Sequence, residues 1–300
     1  MLIRSAFWVA LGFALLESTT GCSGDPTSKE AKPELTGTDW EELITGDWEL
    51  APGTEGYRCV RVTLPEDVIV GAFKPLGPPG THHTTLSLGM PSEPDGTTEC
   101  GGLDGFTAGR GIWGSGVNTD ATELPEGVGM RLEAGHQLML NLHLFNTTTA
   151  PLRGHSGIAI RRMASSAMTH EAGATLIGPV TFMLPPGQTT TVTGGCTFKQ
   201  PETVVGVLPH MHRTGRHMKI VAERANQSEL TLFDGDFDFL EQLTYPVSNV
   251  AFGAGDRLRV ECTFENDTDR TMGFGESTND EMCLAGTALY PRMEEPGCVQ

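Results

Sequence analysis

His136-Gln137-Leu138-Met139-Leu140-Asn141-Leu142-His143-Leu144-Phe145 is the stretch that decides the fold class. Side chains two apart on an extended chain point the same way, so Leu138, Leu140, Leu142 and Leu144 form one apolar strand face. Met139, Asn141 and His143 share the other. The same period recurs over Tyr57–Leu64, Gly157–Met163, Val204–His212 and the set Leu258, Val260, Cys262 and Phe264. No mature segment sustains an amphipathic helical period. With 38 glycines, 19 prolines and 7% aromatic residues, the chain reads as short strands joined by turns, an all-β protein.

The first 21 residues read as an export signal. Arg4 is the basic start, and Ala6–Leu16 is an apolar run too short to cross a bilayer as a stable helix. Thr20-Gly21-Cys22 then ends as bacterial lipoprotein signals do, although Thr19 departs from the usual aliphatic residue. Residues 22–42 are expected to be a lipidated, flexible tether that touches the membrane only through Cys22. The expected location is the cell envelope, the alternative being a cleaved signal and a secreted protein. Setting Cys22 apart from the seven cysteines leaves Cys59, Cys100, Cys196, Cys262, Cys283 and Cys298. An even set in an exported chain predicts three disulfides, with the pairing open among the fifteen that six cysteines allow. The net charge of −18 argues against a nucleic-acid partner, because a phosphate backbone would be repelled. Two domains are expected, 43–165 and 166–300, joined near the small-residue stretch Ala164–Ala174. Asn146, Asn226 and Asn266 head Asn-x-Ser/Thr triplets, which carry little weight as glycan acceptors after a bacterial signal.

The histidines carry the chemistry. In Leu208-Pro209-His210-Met211-His212, two imidazoles separated by one residue face the same side of a strand and can reach one ion. His82-His83 follow the turn Gly77-Pro78-Pro79-Gly80. Adjacent residues on a regular strand face opposite ways, so these two share an ion only where the backbone is irregular. Two donor sets result: His82, His83 and His143, and His210, His212 and Met282. Thioether sulfur is soft and favours Cu(I), whereas zinc prefers imidazole, carboxylate or thiolate, so the second set points to copper. A cupin-like or β-lactamase-like zinc enzyme is excluded, because no carboxylate follows the H-x-H at the required spacing.

These pieces together resemble the type II copper, ascorbate-dependent monooxygenases, which include peptidylglycine α-hydroxylating monooxygenase and dopamine β-monooxygenase. The resemblance is carried by Thr81-His82-His83, Leu124-Pro125-Glu126-Gly127-Val128-Gly129, Asn141-Leu142-His143, His210-Met211-His212 and Ser277-Thr278-Asn279-Asp280-Glu281-Met282-Cys283, in the family's order. It implies two jelly-roll-like antiparallel β-sandwich domains facing across a solvent-filled cleft. It also implies two copper ions per chain. His82, His83 and His143 would hold the one that stores and passes an electron, and the catalytic His210, His212 and Met282 the one that binds dioxygen. The reaction implied is hydroxylation of a C–H bond of a small molecule, with dioxygen and with ascorbate or another one-electron donor. The family's pattern pairs Cys59 with Cys100, Cys196 with Cys298, and Cys262 with Cys283; two further first-domain disulfides lack their cysteines here. Where peptide-amidating members grip a carboxylate with arginine, asparagine and tyrosine, this chain has Leu208, Leu284 and Gly286, so a less charged or differently anchored substrate is expected. A different class of function, a non-enzymatic copper-binding envelope lipoprotein for storage or sensing, uses the same ligands. Hydroxylation coupled to reductant consumption separates the two.

Overall fold

The computed structural model describes residues 40–102, 109–116, 118–239, 242–275, 279–293 and 297–299. The expected signal, Cys22, most of the expected tether, and Ser277 and Thr278 lie outside them. Among the described residues, helix is confined to the 3-10 turn Ser165–Ala167; the regular structure is otherwise strand.

The first half stacks two sheets. One runs in the order Glu41–Leu50, Leu152–Arg162, Val68–Leu76, Val128–Leu132, His170–Glu171, with Thr122–Glu123 also on Val68–Leu76. The other runs Gly96–Glu99, Glu55–Thr63, Gln137–Phe145, Thr81–Gly89, Arg110–Gly116. The second half repeats the plan. Its five-stranded sheet runs Tyr245–Phe252, Glu202–His210, Leu284–Tyr290, Gly173–Gly178, Gly297–Val299, and its four-stranded sheet Gln188–Thr197, Arg257–Asn266, Gly215–Glu223, Leu230–Asp236. Pairing is antiparallel except where His170–Glu171 joins Val128–Leu132 and Gly297–Val299 joins Gly173–Gly178. Each sandwich closes over its own apolar core, one built on Phe73, Leu86, Leu138, Leu140, Leu142 and Ile160, the other on Phe198, Val204, Ile220, Leu258, Val260 and Phe264. Arg292 ties the halves together through Glu133 at 2.7 Å and Glu171 at 3.3 Å.

Several local expectations need correction. The strand Glu41–Leu50 begins inside the last two residues of the expected tether, because Ile44, Trp48 and Leu50 are buried in the first core. Gly96–Glu99 and Arg110–Gly116 are also strands, whose glycines hide the strand pattern. In Gln137–Phe145 the face opposite the leucines is also buried. Met139, Asn141 and His143 are covered, with Asn141 Nδ2 donating to Gly101 O at 2.8 Å beneath the Cys59–Cys100 bridge. The turn at Arg213 and Thr214 lies between Glu202–His210 and Gly215–Glu223. The strands on either side of it belong to different sheets, so this turn is an arch between them.

Among the described residues three disulfides are present: Cys59–Cys100, Cys196–Cys298 and Cys262–Cys283, the pairing the resemblance implied.

The two halves also share a corner clasp. Asn146 is fully buried; its Nδ2 donates to Leu50 O, Ala51 O and Ala150 O, and its Oδ1 accepts from Thr148 N–H and Oγ–H. Asn266 repeats this, donating to Leu184 O and Arg270 O and accepting from both donors of Thr268. The correspondence runs back along the strand: Gly135 with Gly255, both at positive φ, then Leu138 with Leu258, Leu140 with Val260, Leu142 with Cys262 and Leu144 with Phe264. Both triplets are therefore structural. Asn146→Ala and Asn266→Ala are each expected to lower unfolding free energy by about 2–3 kcal/mol in urea titration, because buried backbone carbonyls lose their donor.

Candidate metal centres

The strand Thr81–Gly89 starts out of register. Thr81 faces Leu144 while His83 faces His143, so His82 is the extra residue of a β-bulge, the irregularity that two adjacent histidines need. The turn ahead of it is held tightly. Gly80 has φ 100°, and a Cβ there would fall 2.6 Å from Leu152 and 2.7 Å from Trp48. Thr81 Oγ1 lies 2.6 Å from Ser156 Oγ, which also accepts from Trp48 Nε1 at 2.7 Å.

The bulge turns three imidazoles toward one point. His83 Nδ1 lies 3.0 Å from His82 Nδ1 and 3.2 Å from His143 Nδ1, and one ligand nitrogen from each ring lies within 4.8 Å of the others. His143 Nε2 donates to Glu55 Oε1, which leaves the His143 Nδ1 lone pair facing inward. Tyr57, opposite His143 on the neighbouring strand, stacks on its ring at 4.4 Å and 7°. An imidazole nitrogen carries either a proton or a lone pair, so three convergent nitrogens form one good N–H···N bond and leave one unmatched. His82 Nε2 is also buried without a partner. A cation matched to three neutral nitrogens resolves that conflict. Burial lowers the pKa of His82, His83 and His143, most strongly for His83, where repulsion from His143, His82, His210 and His212 adds to burial. At neutral pH the three rings therefore present lone pairs.

The second set forms where Glu202–His210 leaves its sheet. His210 pairs with Leu284, and continuing that antiparallel register by two residues brings His212 opposite Met282. His210 Nδ1 lies 2.7 Å from Gln242 Oε1 and His212 Nδ1 lies 3.0 Å from Asp280 O. Both acceptors are oxygens, so each ring donates from Nδ1 and keeps Nε2 as an acceptor. His210 Nε2 is buried with no hydrogen-bond partner, and the rings stand 5.3 Å apart at 89°. Burial, with repulsion from His212, pushes the His210 pKa down to about 4. Met282 is 7% exposed and is followed directly by the bridged Cys283. Two imidazoles and a thioether, taken together, would suit a soft, thiophilic cation such as Cu(I).

The two sets face each other where the sandwiches meet. His210 and His212 are near enough to act electrostatically on His83, and the Phe239 ring lies 6.2 Å from His82. The halves touch at Gly116, where a Cβ would sit 2.8 Å from Gln242 O. Leu208 pairs with Gly286, and Leu284 pairs with His210, so the strand face beside His210 is apolar.

Residues 165–300 match the family described as copper type II ascorbate-dependent monooxygenase, C-terminal domain. The second half of the chain carries this family's domain. It is 26% identical over 206 residues to MOXD1 homolog 1 of Drosophila melanogaster, covering 62% of this chain and 29% of that protein. It is 25% identical over 245 residues to peptidyl-glycine alpha-amidating monooxygenase A of Xenopus laevis, covering 77% of this chain and 26% of that protein. DBH-like monooxygenase protein 1 of Gallus gallus is 33% identical over 132 residues, 38% of this chain and 21% of its own length. The chain thus spans less than a third of each of these copper monooxygenase relatives.

The structure brings His82, His83 and His143 together, and sets His210 and His212 beside the segment that carries Met282. Sequence reasoning gave no role to the groups that hold these residues: Glu55, Gln242 and the Asp280 carbonyl on the rings, and Glu281 on the main chain at His212. Glu55 had a readable signal, because it stands two residues before Tyr57 on a strand and therefore shares its face. Gln242 had none; it lies in a segment without periodicity, some thirty residues from the ring it meets.

Proposed function

We propose that this chain is a copper-dependent monooxygenase that hydroxylates a C–H bond of a small, weakly charged substrate, using dioxygen and ascorbate or another one-electron donor. The reading is carried by one observation: two facing donor sets of unlike softness, each with ring nitrogens turned inward. Three imidazoles form the harder centre, and two imidazoles with a thioether the softer. Copper, when bound, supplies one-electron storage at the first and dioxygen activation at the second. One oxygen atom enters the C–H bond and the other leaves as water, with two electrons and two protons supplied by the donor.

The protein's part is orientation. Glu55 fixes the tautomer of His143, while Gln242 and Asp280 O fix those of His210 and His212. Leu208, Leu284 and Gly286 supply an apolar seat beside His210 with no cationic grip, which supports a substrate without a carboxylate at that position. The domain division at 165/166 and export on a lipid anchor at Cys22 are part of the same proposal; three disulfides favour an oxidising compartment, and no helix among the described residues is long and apolar enough to cross a membrane.

The test is metal analysis followed by turnover. Protein purified from the oxidising compartment and loaded with copper is expected to hold two copper ions per chain. It is expected to consume ascorbate only as ¹⁸O from labelled dioxygen enters a product. Zinc, one copper per chain, or copper retention with no oxygen incorporation across candidate substrates would sink the proposal, and the last result would favour storage or sensing. Within it, Glu55→Gln is expected to weaken Cu(II) at the three-imidazole centre by roughly 10–100-fold in chelator competition, the usual worth of a partner that orients a ligand. Its thermal midpoint is expected to change little, since the Glu55 side chain is 53% exposed.

A further inference from the structure

We propose that Glu281 is the positioning residue of the softer centre, a clasp that sets the separation between His212 and the Met282 sulfur. The inference rests on reading His210, His212 and Met282 as one metal centre.

Glu281 is fully buried. Its Oε2 accepts from His212 N–H at 2.9 Å, and its Oε1 accepts from Thr214 N–H and Thr214 Oγ–H, both at 2.7 Å. Its main chain is fixed independently: Glu281 N–H donates to Gly273 O at 3.0 Å, and Gly275 N–H donates to Glu281 O at 3.1 Å. One residue therefore grips the arch that carries the H-x-H, while its own backbone is anchored against Gly273–Gly275 and its next neighbour is the thioether. On the far side of that thioether, Cys283 is bridged to Cys262.

A buried carboxylate is costly unless donors satisfy it, and here it satisfies two buried amides and a hydroxyl in return. Two of the three donors are backbone amides of the arch, so the carboxylate acts on main-chain geometry. Beyond that satisfaction, the carboxylate fixes the arch against the backbone next to Met282, which is what ligand placement requires. Methionine has three rotatable side-chain bonds and its sulfur is a weak donor, so its position depends on the backbone beneath it. His212 and Met282 belong to segments far apart in sequence, and this carboxylate hydrogen-bonds directly from one to the other.

The test uses the full mature chain loaded with Cu(I), read by copper-edge X-ray absorption and by chelator competition. Wild type is expected to show sulfur scattering that Met282→Leu abolishes. Glu281→Gln keeps the size but turns an NH₂ group toward one of the arch donors. It is expected to lose most of that sulfur signal and at least tenfold in Cu(I) affinity at this centre, with the nitrogen-only centre unchanged. Thr214→Val, which deletes the hydroxyl donor alone, is expected to give a several-fold loss. Wild-type sulfur scattering and affinity in Glu281→Gln would overturn the proposal even if its thermal midpoint fell. If Glu281→Gln does not fold, an unaltered Thr214→Val overturns it. Wild-type protein lacking the Met282-dependent signal is a separate result: the imidazole-thioether centre itself then fails, and the clasp with it.

Discussion

His212→Ala is expected to leave one copper per chain and to abolish product formation, the largest functional loss available to a single substitution here. The imidazole is a proposed direct ligand, so its removal should exceed the roughly 10–100-fold that an orienting partner is worth. The fold should survive. The group at this position that Glu281 holds is the backbone N–H, which alanine keeps, and the deleted ring, though buried, belongs to neither apolar core. The measurement is copper per chain with oxygen incorporation in the same sample. Retention of two coppers at wild-type affinity would remove His212 from the ligand set. His143→Ala is the companion: it should empty the other centre while the thioether signal persists, which shows that the sets are occupied independently.

The largest stability loss is expected from removing the Cys196–Cys298 bridge by the double substitution to alanine. The bridge joins residues 102 apart, and the chain-entropy model assigns about 4 to 5 kcal/mol to a crosslink closing a loop of roughly that length. Cys196 lies in the second core, in the strand paired with Arg257–Asn266, and Cys298 anchors the final strand against Gly173–Gly178. Without the bridge the final strand, only three residues long, is held by its parallel pairing. Urea unfolding should show a lower midpoint in the transition that reports on the second half. A loss below about 1 kcal/mol would mean that the core, rather than the crosslink, confines the chain end.

Strand positions with period-two burial were legible because alternation is a local property. Leu138 to Leu144 announce their face without reference to any partner. Strands whose side chains are mostly small or exposed were not. Tyr245–Phe252 buries only Val250 and Phe252, so its reason to be extended is the neighbour it pairs with, Glu202–His210. The metal candidates were legible from residue type and spacing, and the need for an irregular backbone at His82 followed from strand geometry alone. The orienting groups were hidden for the opposite reason. Glu281 acts on main-chain amides, and a carboxylate that holds backbone leaves no trace in the pattern of ligand side chains.

The paired clasps at Asn146 and Asn266 bear on ancestry. Two halves that share a corner, a glycine and a row of core positions read as copies of one sandwich, yet what they carry was not copied with them. His143 has Thr263 as its counterpart, and the proposed ligands of the first half lie on the sheet of Thr81–Gly89 whereas those proposed for the second lie beside Glu202–His210 and Leu284–Tyr290. The shared frame does not depend on its centres. Each sandwich closes over its own apolar core, so the loss of one donor set leaves both cores intact, and a chain with one centre and two intact sandwiches is a form this architecture permits.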